Sequence, residues 1–116
     1  MDNTLDKIKH IGYNPNSGEV MYEEGSLVFN EGDKNTSYIH LRGNLPDYIR
    51  AEMKIKNPAG EVVILNSKVV KSLKNICREF QLKVNAPGNY ECQLVLSYSN
   101  KTNVSNKFSY KVNQGI

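Results

Sequence analysis

The sequence predicts an all-β protein, an antiparallel two-sheet sandwich of seven or eight strands. Three observations carry that prediction. Apolar and polar residues alternate along most of the chain, the period of half-buried strands. Turn residues interrupt the alternation about every 8 to 12 positions, the spacing of a sandwich or barrel. Asparagine occupies 15 positions, mostly between apolar runs, where it favours turns. A chain of 116 residues has the length of one domain, able to bury roughly two-thirds of its unfolded surface without metals or cross-links.

The elements follow in chain order. Residues 1–24 fit the alternation poorly and are expected to form an irregular N-terminal arm or appendage, with the sandwich over 25–116. Within the arm, Leu5, Ile8 and Ile11 recur at every third position and fit a short helix, while "KIKHIGY" fits an extended arm equally well. Leu27 and Phe29 mark a first short strand, closed by "NEGDKNT". In "SYIHLRG", Ser37, Ile39 and Leu41 share one face and Tyr38, His40 and Arg42 the other. "RAEMKIK" sets Ala51, Met53 and Ile55 inward against Glu52, Lys54 and Lys56. "NPAG" then makes a hairpin, with Pro58 in the second position of a type I turn and Gly60 in the left-handed position. "EVVIL" follows, and after it "SKVVKSLKN", expected as a crossover or a short edge strand guarded by lysines. Over 76–84, Arg78 breaks an apolar set in which Phe80, Leu82 and Val84 oppose Glu79, Gln81 and Lys83. Tyr90, Cys92, Leu94, Leu96 and Tyr98 share a face in the next strand, and Phe108, Tyr110 and Val112 in the last.

Residues 86–98, "APGNYECQLVLSY", narrow the architecture. Immunoglobulin domains place a tyrosine two residues before the second cysteine of their inter-sheet disulfide. Here the strand that would hold the first cysteine, "SYIHLRG", has none, and the chain lacks tryptophan to pack on a bridge. Cys77, the other cysteine, falls on the outward set while Cys92 falls on the inward one, so the two cannot reach bridging geometry without a bulge. Cys92 is expected as a small buried hydrophobe and Cys77 as a surface thiol. Tyr90 after Pro87-Gly88 reads as a tyrosine corner, its hydroxyl tied to nearby backbone. The expectation is an immunoglobulin-like sandwich without the disulfide.

Charge and motifs exclude most chemistry. The net charge of +3 comes from 15 basic and 12 acidic residues scattered singly, which is not the basic stripe of a nucleic-acid binder. The longest aliphatic run, Val62 to Leu65, is far short of a membrane span. The first ten residues lack a basic and an apolar region, so a chain made in the cytoplasm without a signal peptide is expected. His10 and His40 have no partner two or four residues away, and the cysteines match no zinc spacing. Glu31, Asp33 and Asn35 alternate in a loop but miss the calcium pattern. A turn in which Gly32 takes the strained backbone and Asp33 accepts amide hydrogens explains them better. Glu23-Glu24 has nothing nearby to raise a pKa, and no nucleophile elbow or phosphate loop occurs. Neither catalysis nor a cofactor or metal is expected.

Binding is the remaining class. Tyr38, His40 and Arg42 project as a row from one strand and are the candidate partner-binding residues, since Tyr and Arg are enriched among interface anchors. An ordinary solvated strand face has the same appearance. Val95, between Gln93 and Ser97, is a second small apolar spot on an outward set. A carbohydrate-binding sandwich would use exposed aromatics such as Tyr13, Tyr22, Tyr38 or Tyr48, although tryptophan, the strongest such platform, is absent.

The stretch "LVFNEGDKNTSYIHLRG" resembles the opening of the N-terminal domain of phage baseplate upper proteins, from tailed phages of low-GC Gram-positive bacteria. In that family a short apolar strand runs into a Gly-Asp-x-Asn turn, here Gly32-Asp33-Lys34-Asn35, and then a core strand. "KIKNPAGEV" resembles the family's hairpin, with Ala59 in place of an aspartate. "APGNYECQLVL" resembles its Gly-x-Tyr strand and "NKFSYKV" its closing aromatic strand. The polar "LPDYIRAE" departs from the apolar character expected before the hairpin. The resemblance runs over about residues 20–113. It implies a non-enzymatic assembly module in the virion, docking a host-recognition organelle to the tail core through other tail and baseplate proteins. It transfers no catalytic residues. The chain ends soon after its last strand with no heptads for a coiled coil, so an excised domain or a short docking-only relative is expected, with homo-oligomerisation left to a full-length parent. A cell-wall or carbohydrate-binding module for host recognition is the alternative from another class.

Overall fold

A computed structural model describes residues 8–14, 19–22, 27–30, 37–42, 45, 48–71, 76–82, 84 and 86–114. Eleven strands run through them: β1 (Ile8–Asn14), β2 (Glu19–Tyr22), β3 (Leu27–Asn30), β4 (Ser37–Arg42), β5 (Arg50–Lys56), β6 (Val62–Asn66), β7 (Lys68–Lys71), β8 (Ile76–Leu82), β9 (Gly88–Tyr98), β10 (Lys101–Val104) and β11 (Phe108–Asn113). No described residue is helical. The first sheet has the order β2-β1-β4-β8-β7, and the second β3-β11-β9-β5-β6 with β10 added to β9. The chain is an all-β two-sheet sandwich.

The expected faces are the observed ones in the central strands. Ser37, Ile39 and Leu41 on β4, Phe80 and Leu82 on β8, Met53 and Ile55 on β5, Leu94 and Leu96 on β9, and Tyr110 and Val112 on β11 are all buried. Arg78, which interrupts the apolar set of β8, is buried with it. At one end of the core the rings of Tyr90 and Tyr110 stack 4.5 Å apart, and Phe29 meets Tyr110 edge-on at 5.7 Å. The Tyr90 hydroxyl donates to the Ala86 carbonyl at 2.7 Å, the tie expected of a tyrosine corner.

Three expectations need correction. The sheets are mixed, not wholly antiparallel, because β1 runs parallel to β4 and β3 parallel to β11. Neither pair is joined by a hairpin, so no tight turn imposes the antiparallel sense. The N-terminal segment is not irregular where it is described: β1 and β2 extend the first sheet, Ile11 is completely buried and Val20 nearly so. Of the two readings of "KIKHIGY", the extended one holds, and the three-residue spacing of Leu5, Ile8 and Ile11 is not helical over the described part. The strand count is also higher than seven or eight. β10 (KTNV) is exposed at all four positions, so it carries no alternation to reveal it.

The hairpin at 57–60 has the anticipated chemistry. The Gly60 N–H donates to the Asn57 carbonyl at 2.9 Å and Gly60 takes φ 90°. The Asn57 side-chain oxygen accepts from the N–H groups of Ala59 and Glu61. Its tip lies against β9: Gly88 has φ 133°, and a Cβ there would sit 2.7 Å from Pro58 Cγ. The two cysteines are free, Cys92 buried in the second sheet and Cys77 half-buried in the first. Glu23-Glu24 and the loop holding Glu31, Asp33 and Asn35 lie outside the described residues.

Candidate functional site

Strand β4 holds the candidate residues at the middle of the first sheet, and its alternation decides where each points. Because Ser37, Ile39 and Leu41 face the core, Tyr38, His40 and Arg42 stand on the outer face, with Tyr38 and His40 half-buried by their neighbours and Arg42 exposed. Pairing register supplies those neighbours. His40 is opposite His10 on β1 and Glu79 on β8, and Glu79 is opposite Lys68 on β7. Four strands thus place a polar row across the sheet.

The row is bonded. His40 Nε2 meets Glu79 Oε2 at 2.9 Å, with the two side chains 12% and 22% exposed. The His10 ring lies edge-on to His40 at 5.7 Å, and Tyr38 leans toward His40 at 6.4 Å. In sequence the two histidines stand apart with no local partner. The parallel pairing of β1 with β4 makes them neighbours, and only knowledge of that pairing could have shown it. Glu79 was legible as outward-facing, but its partner was not.

Chemically the row is an imidazole held by a carboxylate, with a phenol and a guanidinium on either side along the strand. Among the described residues, no group of three His, Cys, Asp or Glu is placed to hold a metal ion. No helix among them is long and apolar enough to cross a membrane. On the outer face of the second sheet, Val95 is half-buried opposite Val104, which is 54% exposed, so the apolar spot noted at Val95 continues onto β10.

No protein-family model matches the sequence, and no curated protein is significantly similar to it. Comparison with solved structures finds the N-terminal domain of phage TP901-1 ORF48, with a TM-score of 0.59 over 91% of this chain and 98% of that one, at 11% identity. The chain has the fold of that phage domain. The match spans nearly the whole of both chains, so it includes both sheets of the sandwich and not a shared fragment.

Proposed function

We propose that this chain is a non-enzymatic structural module of a phage tail baseplate, docking a host-recognition organelle to the tail core. The observation that carries this reading is the fold shared with a phage domain along almost all of both chains. The motif order, from the Gly-Asp-x-Asn turn through the Pro-Ala-Gly hairpin and the Gly-x-Tyr strand to the aromatic last strand, supports it independently. Its partners are other tail and baseplate proteins, its place is the virion, and the docking face is Tyr38, His40 and Arg42. An immunoglobulin-like arrangement within the sandwich is supported by β4-β8-β7 on one side and β11-β9-β5 on the other, with a tyrosine corner at the start of β9.

The test is reconstitution with the remaining tail proteins. Replacing Tyr38 and Arg42 together with alanine is expected to weaken tail-complex binding about tenfold or more, with the urea midpoint nearly unchanged because both lie on the outer face. Unchanged binding would rule out this face, and binding to no tail protein at all would rule out the baseplate role. The carbohydrate reading has one observation in its favour: Tyr48 is 73% exposed at the rim of a cavity of about 370 Å³ shared with Arg50, Asn66 and Arg78. Saccharide titration with shifts clustered at Tyr48 would favour it over baseplate docking.

A further inference from the structure

Strand β6 is one outer strand of the second sheet, and it is built differently from β7, an outer strand of the first. Its sequence, Val62-Val63-Ile64-Leu65-Asn66, carries no charge, whereas β7, the edge of the first sheet, begins and ends in lysine. Edge strands ordinarily carry charge or proline to discourage pairing with another chain. Here Val62, Val63 and Ile64 are 50%, 40% and 60% exposed.

The ladder fixes which backbone groups face away from β5. The Asn57 N–H donates to the Glu61 carbonyl and the Ser67 N–H to the Ala51 carbonyl, and the register between them pairs Ile55 with Val63 and Met53 with Leu65. Hydrogen-bonded pairs alternate along an antiparallel ladder, so the odd-numbered residues of β6 bond to β5. The N–H and C=O of Val62, Ile64 and Asn66 therefore point away from β5, and no described strand pairs with that edge.

Each face of the edge adds a preference. On the inner side, Val63 and Leu65 line a cavity of about 390 Å³ together with Ile55, Pro58, Tyr90 and Tyr110. That side suits apolar side chains. On the outer side, the register partners of Ile64 and Val62 are Lys54 and Lys56, both exposed and without an ion pair among the described residues. That side suits carboxylates beside Val62 and Ile64, though not beside Asn66, whose register partner is Glu52.

We infer that β6 is a strand-addition site for an extended segment of another protein in which apolar residues alternate with acidic ones. The segment adds to the second sheet by bonding to Val62, Ile64 and Asn66, turns its apolar side chains toward the cavity and its carboxylates toward Lys54 and Lys56. Backbone bonds supply affinity and the alternate side-chain positions supply selectivity, as in other strand-addition complexes. This site lies on a different sheet from Tyr38, His40 and Arg42 and does not depend on the baseplate reading.

The probe is a capped heptapeptide alternating valine with glutamate, followed by amide hydrogen exchange. In the free chain the amides of Val62, Ile64 and Asn66 exchange fast while those of Val63 and Leu65 are protected. Saturating peptide slows the first set about tenfold or more. Ile64→Pro removes an outward donor and no β5–β6 bond, a place where edge strands accept proline, and it abolishes that protection. Lys54→Glu with Lys56→Glu weakens the glutamate peptide and favours one carrying lysine instead, a control that leaves the backbone untouched. Protection of the outward amides in the free chain, or none on adding peptide, overturns the proposal. So does a dimer in sedimentation that Ile64→Pro dissociates, because the occupant is then a second copy of this chain.

Discussion

At Cys92 the surroundings, not the thiol, set the chemistry. Ile55 and Phe108 are its register partners on either side, and it is 1% exposed. Burial pushes its pKa up from 9.0 to about 12, because the thiolate would lose its hydration. Burial likewise pushes the Tyr110 phenol well above its usual value of 10.0. In both cases the folded chain keeps a proton that the unfolded chain releases, so their contribution to stability is intact below pH 9 and falls as pH rises toward 12. Urea unfolding under reducing conditions is expected to show stability dropping by about 1.4 kcal/mol per pH unit for each group in that window. Cys92→Ala removes the part that begins near pH 9 and leaves the part that begins near 10. A stability profile that stays level from pH 8 to 11 would contradict the buried placement. At the same scale, what the sequence hides is pairing between side chains: the outward orientation of His40 and Glu79 is written in their strands, but the 2.9 Å contact between them is not.

Strands are legible in the sequence to the extent that one of their faces is dry. β4, β5, β8, β9 and β11 lie inside the sheets with alternate residues in the core, and each appears in the sequence as alternation, interrupted on β8 by Arg78. β10 is wet on both faces and β1 puts Lys9, in register with the buried Ile39, where an apolar residue would have signalled a strand, so both escape a reading by period. Turns are legible for a separate reason, that few residues tolerate their backbone. Gly60 and Gly88 look equivalent in sequence but differ in what surrounds them. Both have positive φ, yet a Cβ at Gly60 meets nothing within 4 Å, while one at Gly88 meets Pro58 at 2.7 Å. Gly60→Ala is expected to cost only backbone strain, about 1 kcal/mol. Gly88→Ala adds a clash and should cost about 2–4 kcal/mol. A double-mutant cycle checks the difference: Pro58→Ala recovers part of the loss at Gly88 and none at Gly60. Additivity at Gly88 would mean the hairpin tip does not rest on β9.

The whole molecule behaves as one unit only if its N-terminal hairpin is part of the core and not fastened beside it. Its Cα radius of gyration of 14.0 Å is near the roughly 13 Å expected for a compact chain of this length. Two features attach the hairpin. Ile11 lies in register with Leu41, and both side chains are buried, so lifting β1 away would expose apolar surface on β4. The Val20 N–H donates to the Asn106 side-chain oxygen at 2.6 Å, which ties β2 of the first sheet to the segment between β10 and β11 of the second. That segment is itself fixed, since Ser105 exchanges bonds with Leu94 through both its hydroxyl and its N–H. Asn106→Ala leaves a part-buried N–H without its acceptor, at a cost of about 1–2 kcal/mol. If the hairpin unfolds with the sandwich, that loss appears in full in the global urea midpoint, and the amides of Ile11 and Leu94 lose the same protection. If the hairpin opens by itself, Ile11 exchanges faster while Leu94 and the midpoint stay where they were. The register of Ile11 with Leu41 favours the first outcome, because opening β1 alone would put Ile11 and the neighbouring edge of β4 in water.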